Sequence, residues 1–299
     1  MMKKWKWIVL TLTGICLLLL FGSGGYVYQK ASQTMKEVQV QVPVKASVET
    51  EKAVEQKKGL SFLLLGVDQR KNETGRSDTI IVVTVDPKTN KSQMISIPRD
   101  LKTEIIGNGS NDKINHAYAF GGPQMALDTV SHLLDIRIDY FAEINLEGFT
   151  DLVNAVDGVT VENDINFSYY EMQFPKGELS LNGKEALAYA RMRYDDPRGD
   201  FGRQIRQRQV VQAVADKMTE DFSIRRFNAV LEALGKNVKT NVPFSVARTV
   251  ATDYRDALRN VDTLSLDGKG GIESDGIYYW HPTDKSLKNV QTRLQEALE

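Results

Sequence analysis

Hydrophobic positions fall into short unbroken runs in one part of the chain and recur every three or four residues in others. Leu60–Gly66, Thr79–Val85 and Ser92–Ile97 are unbroken runs bounded by polar loops. They predict strands, the first two buried on both faces. Helical spacing follows at Met125, Thr129, Val130, Leu133 and Leu134 within Gly121–Leu134. Tyr140–Ile144 and Val159–Val161 predict strands around a helix at Leu146–Val156, and Asn182–Arg191, Arg203–Asp221, Phe227–Leu234 and Phe244–Leu258 predict further helices. Two late strands, Val261–Leu266 and Gly276–Trp280, precede a closing helix at Thr283–Leu298. This alternation predicts an α/β, or layered α+β, fold with a central mixed β-sheet flanked by helices.

The N-terminus has a different pattern. Lys3, Lys4 and Lys6 lead into 23 uncharged positions, Trp7–Gln29, with Trp5, Trp7, Tyr26 and Tyr28 at the ends. That length spans a bilayer, and the leading lysines keep the N-terminus cytoplasmic. The expectation is a single-pass type II protein of the cell membrane, with an anchor within 1–28 and an extracellular domain. A cleaved signal peptide is the competing reading, because the densest apolar part, Ile8–Phe21, is short and GSGG follows it. Residues 29–58 hold no aromatic side chain and read as a flexible tether of roughly 30 Å between anchor and domain. Residues 59–299 make up the globular domain.

Charge and cysteine content remove several classes. A formal net charge of −1 argues against nucleic acid as a partner. The single cysteine, Cys16, lies in the apolar N-terminal run, so the domain has neither a disulfide nor a thiolate metal site.

One stretch breaks the even balance of charge. Between Arg191 and Arg208 lie six of the chain's sixteen arginines and no lysine. Guanidinium groups bind carboxylate or phosphate through a planar fork, whereas a solvated face normally mixes arginine with lysine. Two such charges about 7 Å apart repel by roughly 2.4 kcal/mol at an effective dielectric near 20. Asp195, Asp196 and Asp200 offset half of the formal charge. The remainder calls for an anion, unless the stretch is simply an exposed, salt-bridged loop entering a helix. Arg203, Gln207, Val211, Val214 and Met218 fall on one helical stripe whose apolar end requires a core. Arg203 and Gln207 therefore read as binding residues at a cleft.

Three acid–arginine pairs sit at predicted strand ends, where open α/β sheets bind ligands: Asp68 with Arg70, Arg76 with Asp78, and Arg99 with Asp100. Each alone reads as a surface ion pair. Together with the arginine cluster they form a candidate phosphate site in which Asp68 and Asp78 hold Mg²⁺ while substrate phosphates complete its shell. The histidines, His116, His132 and His281, lack metal spacing, and His116 reads as a structural hydrogen-bonder.

The segments FLLLGVDQR, GRSDT, ISIPRD, DKINHAYAFGG and ALAYARMRYDDPRGDFGRQIRQRQ, in this order from about Gly59 onward, resemble the LytR-CpsA-Psr family of cell-envelope enzymes. The resemblance implies that 59–299 is a catalytic domain of that family, with metal-binding aspartates at Asp68 and Asp78. It implies pyrophosphate contacts from Arg76, Arg99, Arg191, Arg193, Arg203 and Gln207. Asp78 and Arg99 are the expected catalytic residues, Mg²⁺ (or Mn²⁺) the cofactor, and Asp78 or Asp200 the candidate base. The implied reaction is phosphotransfer of an anionic glycopolymer, such as wall teichoic acid, from a polyprenyl-pyrophosphate carrier to a peptidoglycan hydroxyl. A non-catalytic, membrane-tethered polymer binder or regulator, or a polyprenyl-pyrophosphate pyrophosphatase, is the alternative.

Overall fold

The computed structural model describes residues 29–30, 32–34, 48–68, 75–220, 229–230, 232–233, 235 and 237–299. The expected anchor within 1–28, Arg70 and most of the expected helix Phe227–Leu234 lie outside the described residues.

The apolar runs form a six-stranded mixed sheet in the order β11-β6-β1-β2-β3-β12. Its strands are β1 (Leu60–Asp68), β2 (Arg76–Asp86), β3 (Lys91–Ser96), β6 (Tyr140–Asn145), β11 (Val238–Thr240) and β12 (Val261–Leu264). β1 pairs antiparallel with β2 and parallel with β6, and β12 joins β3 in parallel. Two-stranded ribbons surround the sheet: β4 (Lys102–Ile105) with β5 (Ser110–Lys113), β7 (Val159–Asn163) with β10 (Gly177–Leu181), β8 (Phe167–Tyr169) with β9 (Met172–Phe174), and β13 (Gly268–Ile272) with β14 (Tyr278–Pro282). Half of the ribbon strands, β4, β5, β13 and β14, have no apolar alternation. SNDK in β5 and GKGGI in β13 give no period-2 signal, which is why the sequence pattern passes over them.

Helices cover both faces. They are α1 (Val48–Glu55), α2 (His116–Leu134), α3 (Leu146–Ala155), α4 (Gly183–Arg191), α5 (Asp200–Glu220), α6 (Phe244–Asp253), α7 (Arg255–Arg259) and α8 (Asp284–Glu296). Leu63, Leu65 and Val82 bury one sheet face with Leu127 and Val130 of α2 and Leu294 of α8. Leu60, Val85 and Tyr140 pack with Ala53 of α1 and Ala257 of α7. A further core lies beneath α3, α4 and α5, where Val153, Tyr189 and Val210 meet the ribbon residues Phe167 and Phe174.

Part of the stretch expected as a flexible tether is ordered. Ala53 of α1 is buried, and the Thr50 hydroxyl donates to the buried Asp139 carboxylate at 2.7 Å. The helix α1, about two turns long, thus packs on the body ahead of residue 59. The predicted helix Phe244–Leu258 is also divided, with a break at Tyr254, whose buried ring and hydroxyl bond to Lys58 O fix it to the body.

Candidate phosphate-binding cleft

Three local devices bring distant residues to one end of the sheet. The first is a bulge. Gly66 pairs with Thr79 and Val67 with Ser77, so Asp78 is the extra residue of β2 at the Gly66/Val67 register shift. A bulge re-aims side chains locally, and here it places Asp78 beside Asp68 at the end of β1. Gly66 is obligatory for this close approach, since a Cβ there would stand 2.8 Å from Thr79 Cβ.

The second device is the turn after β3. Pro98 ends the strand, and Arg99 then reaches back to donate from Nη1 to Asp78 Oδ1 at 2.8 Å. Burial would lower the Arg99 guanidinium, but the Asp78 charge and hydrogen bond overcome it and raise its pKa.

The third is the loop between α4 and α5. The Asn182 capping box starts α4, which ends at Arg191. Asp196 then organises the return: its carboxylate accepts from the Arg198 backbone N–H and side chain and, at 2.6 Å, from Arg206 Nη1. Burial favours the neutral carboxyl, yet these arginine hydrogen bonds hold Asp196 far below the usual carboxylate range. Arg206 is wholly buried, donates also to the Tyr189 and Met192 carbonyls, and stacks 5.1 Å from the Phe167 ring centre. Those carbonyls flank Arg191, so Arg206 fixes the backbone that carries Arg191 and Arg193. Gly202 passes so close that a Cβ there would overlap the Asp196 carboxylate.

The arginine cluster therefore divides. Arg198 and Arg206 serve Asp196, and Arg208 turns away to donate to Ser96 Oγ at 2.8 Å beside a separate hollow. Arg191, Arg193 and Arg203 face the cleft. The expected stripe along α5 is corrected accordingly. Met218 is exposed and Val211 only half-buried, while the wholly buried line runs Arg206, Val210, Val214. The most buried position of this part of the helix is a salt-bridged arginine, Arg206, one residue away from Gln207 of the expected stripe.

The cleft has two halves. The inner half, about 400 Å³, is lined by Asp68, Asp78, Arg99, Arg191, Arg193, Arg203 and Gln207, and by Leu146, Phe149 and Leu187. The outer half, about 650 Å³, shares Asp68, Asp78 and Arg99 and adds Arg76, Asp100, Lys113, Asn115 and His116. Arg76 is thus the one proposed pyrophosphate contact that the fold sets in the outer half alone. Arg70 lies outside the described residues.

In the inner half, four guanidinium groups against Asp68, Asp78 and the adjoining Asp200 leave one positive charge over. Arg203 is buried; burial is the main cause lowering its pKa, opposed by Asp200 and reinforced by Arg99. Asp200 pairs with Arg203 Nη2 at 2.6 Å and lies 4.0 Å from Arg193 Nε, so it orients arginines rather than standing free as a base. The Nε atoms of Arg99 and Arg203 find no hydrogen-bond partner among the described residues. Buried donors without acceptors are costly, and an anion in the cleft offsets the charge surplus.

Among the described residues no group of three His, Cys, Asp or Glu is placed to hold a metal. The donor set at the cleft is two carboxylates and no soft ligand, which fits Mg²⁺ sharing its shell with ligand phosphates. His116 accepts or donates through Nδ1 to Asp112 at 2.7 Å, as a structural histidine does.

Fold and cleft together define an α/β protein with arginines and aspartates gathered in a cleft at one end of its sheet. The chain belongs to the LytR-CpsA-Psr family, whose model, described as the LytR_cpsA_psr family, matches residues 23–296. It is 44% identical over 300 residues to the polyisoprenyl-teichoic acid–peptidoglycan teichoic acid transferase TagU of Bacillus subtilis, across 99% of this chain and 98% of that protein. The crystal structure of B. subtilis TagU aligns with a TM-score of 0.67 at 45% identity, covering 81% of this chain and 98% of that one. A structure of TagT bound to LI-WTA aligns at 0.69 with 33% identity, covering 81% of this chain and 92% of that one.

Proposed function

We propose that this protein is an extracytoplasmic phosphotransferase that moves wall teichoic acid from a polyprenyl-pyrophosphate carrier to a peptidoglycan hydroxyl and releases polyprenyl phosphate. The observation that carries the reading is the convergence of Arg99, Arg191, Arg193 and Arg203 on an inner hollow that has Leu146, Phe149 and Leu187 in its wall and meets a more polar outer hollow at Arg99. A lipid diphosphate has that same polarity along its length. The transferase relatives, named for these substrates, support the assignment.

Phosphoryl transfer asks mainly for alignment and for neutralisation of charge on the phosphoryl oxygens. Arg203 and Arg99 line the cleft with Arg191, Arg193 and Gln207 beside them. Asp78 holds Arg99 in place through its Oδ1. The acceptor oxygen bonds to phosphorus as the bond to polyprenyl phosphate breaks. Mg²⁺, held by Asp68 and Asp78 together with substrate phosphates, would neutralise charge on the leaving diphosphate oxygens. The anchor within 1–28 would keep the domain at the outer face of the cell membrane, where the lipid carrier is.

The test uses full-chain protein in detergent with labelled lipid-linked polymer and peptidoglycan oligosaccharide. Polymer should appear on the glycan in step with released polyprenyl phosphate, and EDTA should stop both, with Mg²⁺ restoring them. Release without glycan product would make the protein a pyrophosphatase. Binding without release would make it a polymer binder or regulator.

A further inference from the structure

We propose that the outer hollow seats the acceptor sugar, with the Phe120 ring as its stacking platform. The inference rests on the phosphotransferase reading and adds the direction from which the hydroxyl arrives. In a phosphoryl transfer the attacking and leaving oxygens lie on opposite sides of phosphorus. The leaving phosphate carries the lipid, and the aliphatic walls Leu146 and Leu187 belong to the inner hollow. The outer hollow meets it at Asp68, Asp78 and Arg99 and has, among the described residues, Ala119 and Phe120 as its only apolar walls larger than glycine. A group attacking opposite the lipid therefore enters the outer hollow.

That hollow is furnished for a polyhydroxylated ligand rather than for another anion. Its charged side chains are largely paired internally: Lys113 with Asp100 at 2.9 Å, and His116 with Asp112 at 2.7 Å. Asn115, only 4% exposed, keeps an Oδ1 with no hydrogen-bond partner among the described residues, an acceptor suited to a hydroxyl. Phe120 is 50% exposed, 5.8 Å from the His116 ring and inclined to it by 60°. An aromatic ring gives a rigid contact face at little entropic cost. Its placement is built into the backbone. Gly121 and Gly122 leave helical geometry, Gly122 at φ 64°, so the turn His116–Phe120 is set off by a kink from the rest of α2.

The experiment measures transfer by full-chain protein and, separately, binding of a peptidoglycan oligosaccharide alone by saturation-transfer NMR. Phe120→Ala should raise KM for the oligosaccharide about tenfold and abolish its saturation-transfer signal, leaving donor KM unchanged. Phe120→Trp should restore both, and Phe120→Leu, which keeps bulk without a ring, should not. A higher donor KM with unchanged acceptor KM would assign the ring to the polymer's own sugar and overturn the proposal, as would unaltered oligosaccharide binding in Phe120→Ala. If the wild type binds oligosaccharide through Phe120 yet never transfers polymer, the phosphotransferase reading fails and the sugar site stands.

Discussion

Turnover falls about a hundredfold to a thousandfold when Arg99 becomes lysine, although the positive charge is kept. Arg99 donates from Nη1 to Asp78, stands 3.7 Å from Asp100 through Nε, and lines both halves of the cleft. A planar fork serves both directions at once, whereas a single ammonium serves the nearer carboxylate and leaves the phosphoryl oxygen uncovered. Because the lost contact strengthens as charge develops, the effect belongs in kcat more than in KM. The same exchange at Arg191 and Arg193 separates an enzyme from a binder. Net charge alone would tolerate lysine at both positions, while aligned transfer would not. Steady-state kinetics with lipid-linked polymer and oligosaccharide acceptor measure the split. A kcat within threefold of wild type in Arg99→Lys would falsify the role given to it.

The second large effect is on stability. Arg206→Ala should lower the free energy of unfolding by about 3–5 kcal/mol, because removing one member of a buried pair strands the other. Asp196 keeps Arg198, but the Tyr189 and Met192 carbonyls lose their donors and the space beneath Phe167 empties. Arg206→Lys should recover little, since one ammonium cannot reach three acceptors held by a guanidinium. Arg198→Ala should cost only about 1 kcal/mol, its side chain being a third exposed and thus screened. Urea unfolding followed by circular dichroism gives all three values. The pH dependence follows from the direction of the Asp196 shift. Its folded-state pKa is depressed, so the stabilisation is full above the ordinary carboxylate range and is lost only as pH falls through that range towards the folded value.

Five of the six sheet strands were legible in the sequence because unbroken apolar runs such as Leu60–Gly66 have few alternative structures, whereas β11, Val-Lys-Thr, is too short to show a run. The cleft residues were legible as types: acids and arginines after strands, and arginines without lysine. What periodicity did not resolve was the division of labour among the arginines. Arg203 and Arg206 are three positions apart, both compatible with a helix face directed inward, and only the partner decides between them. Asp196 lies ten residues before Arg206 and reaches it through a turn closed at Gly199, a tertiary fact with no periodic signature. The same holds for the bulge at Asp78, where a strict alternation would have set the side chain by strand parity alone. Docking of α1 was missed because its apolar surface is two or three residues, too few to register as a stripe.

The most direct measurement is a crystal structure of the protein with an intact polyprenyl diphosphate bearing polymer sugar. Both phosphates should lie within hydrogen-bond reach of the Arg99 and Arg203 guanidinium groups, with the isoprenoid chain running past Phe149 and Leu187. Phosphates seated instead in the hollow beside Arg208, or a lipid chain in the outer half, would contradict the account.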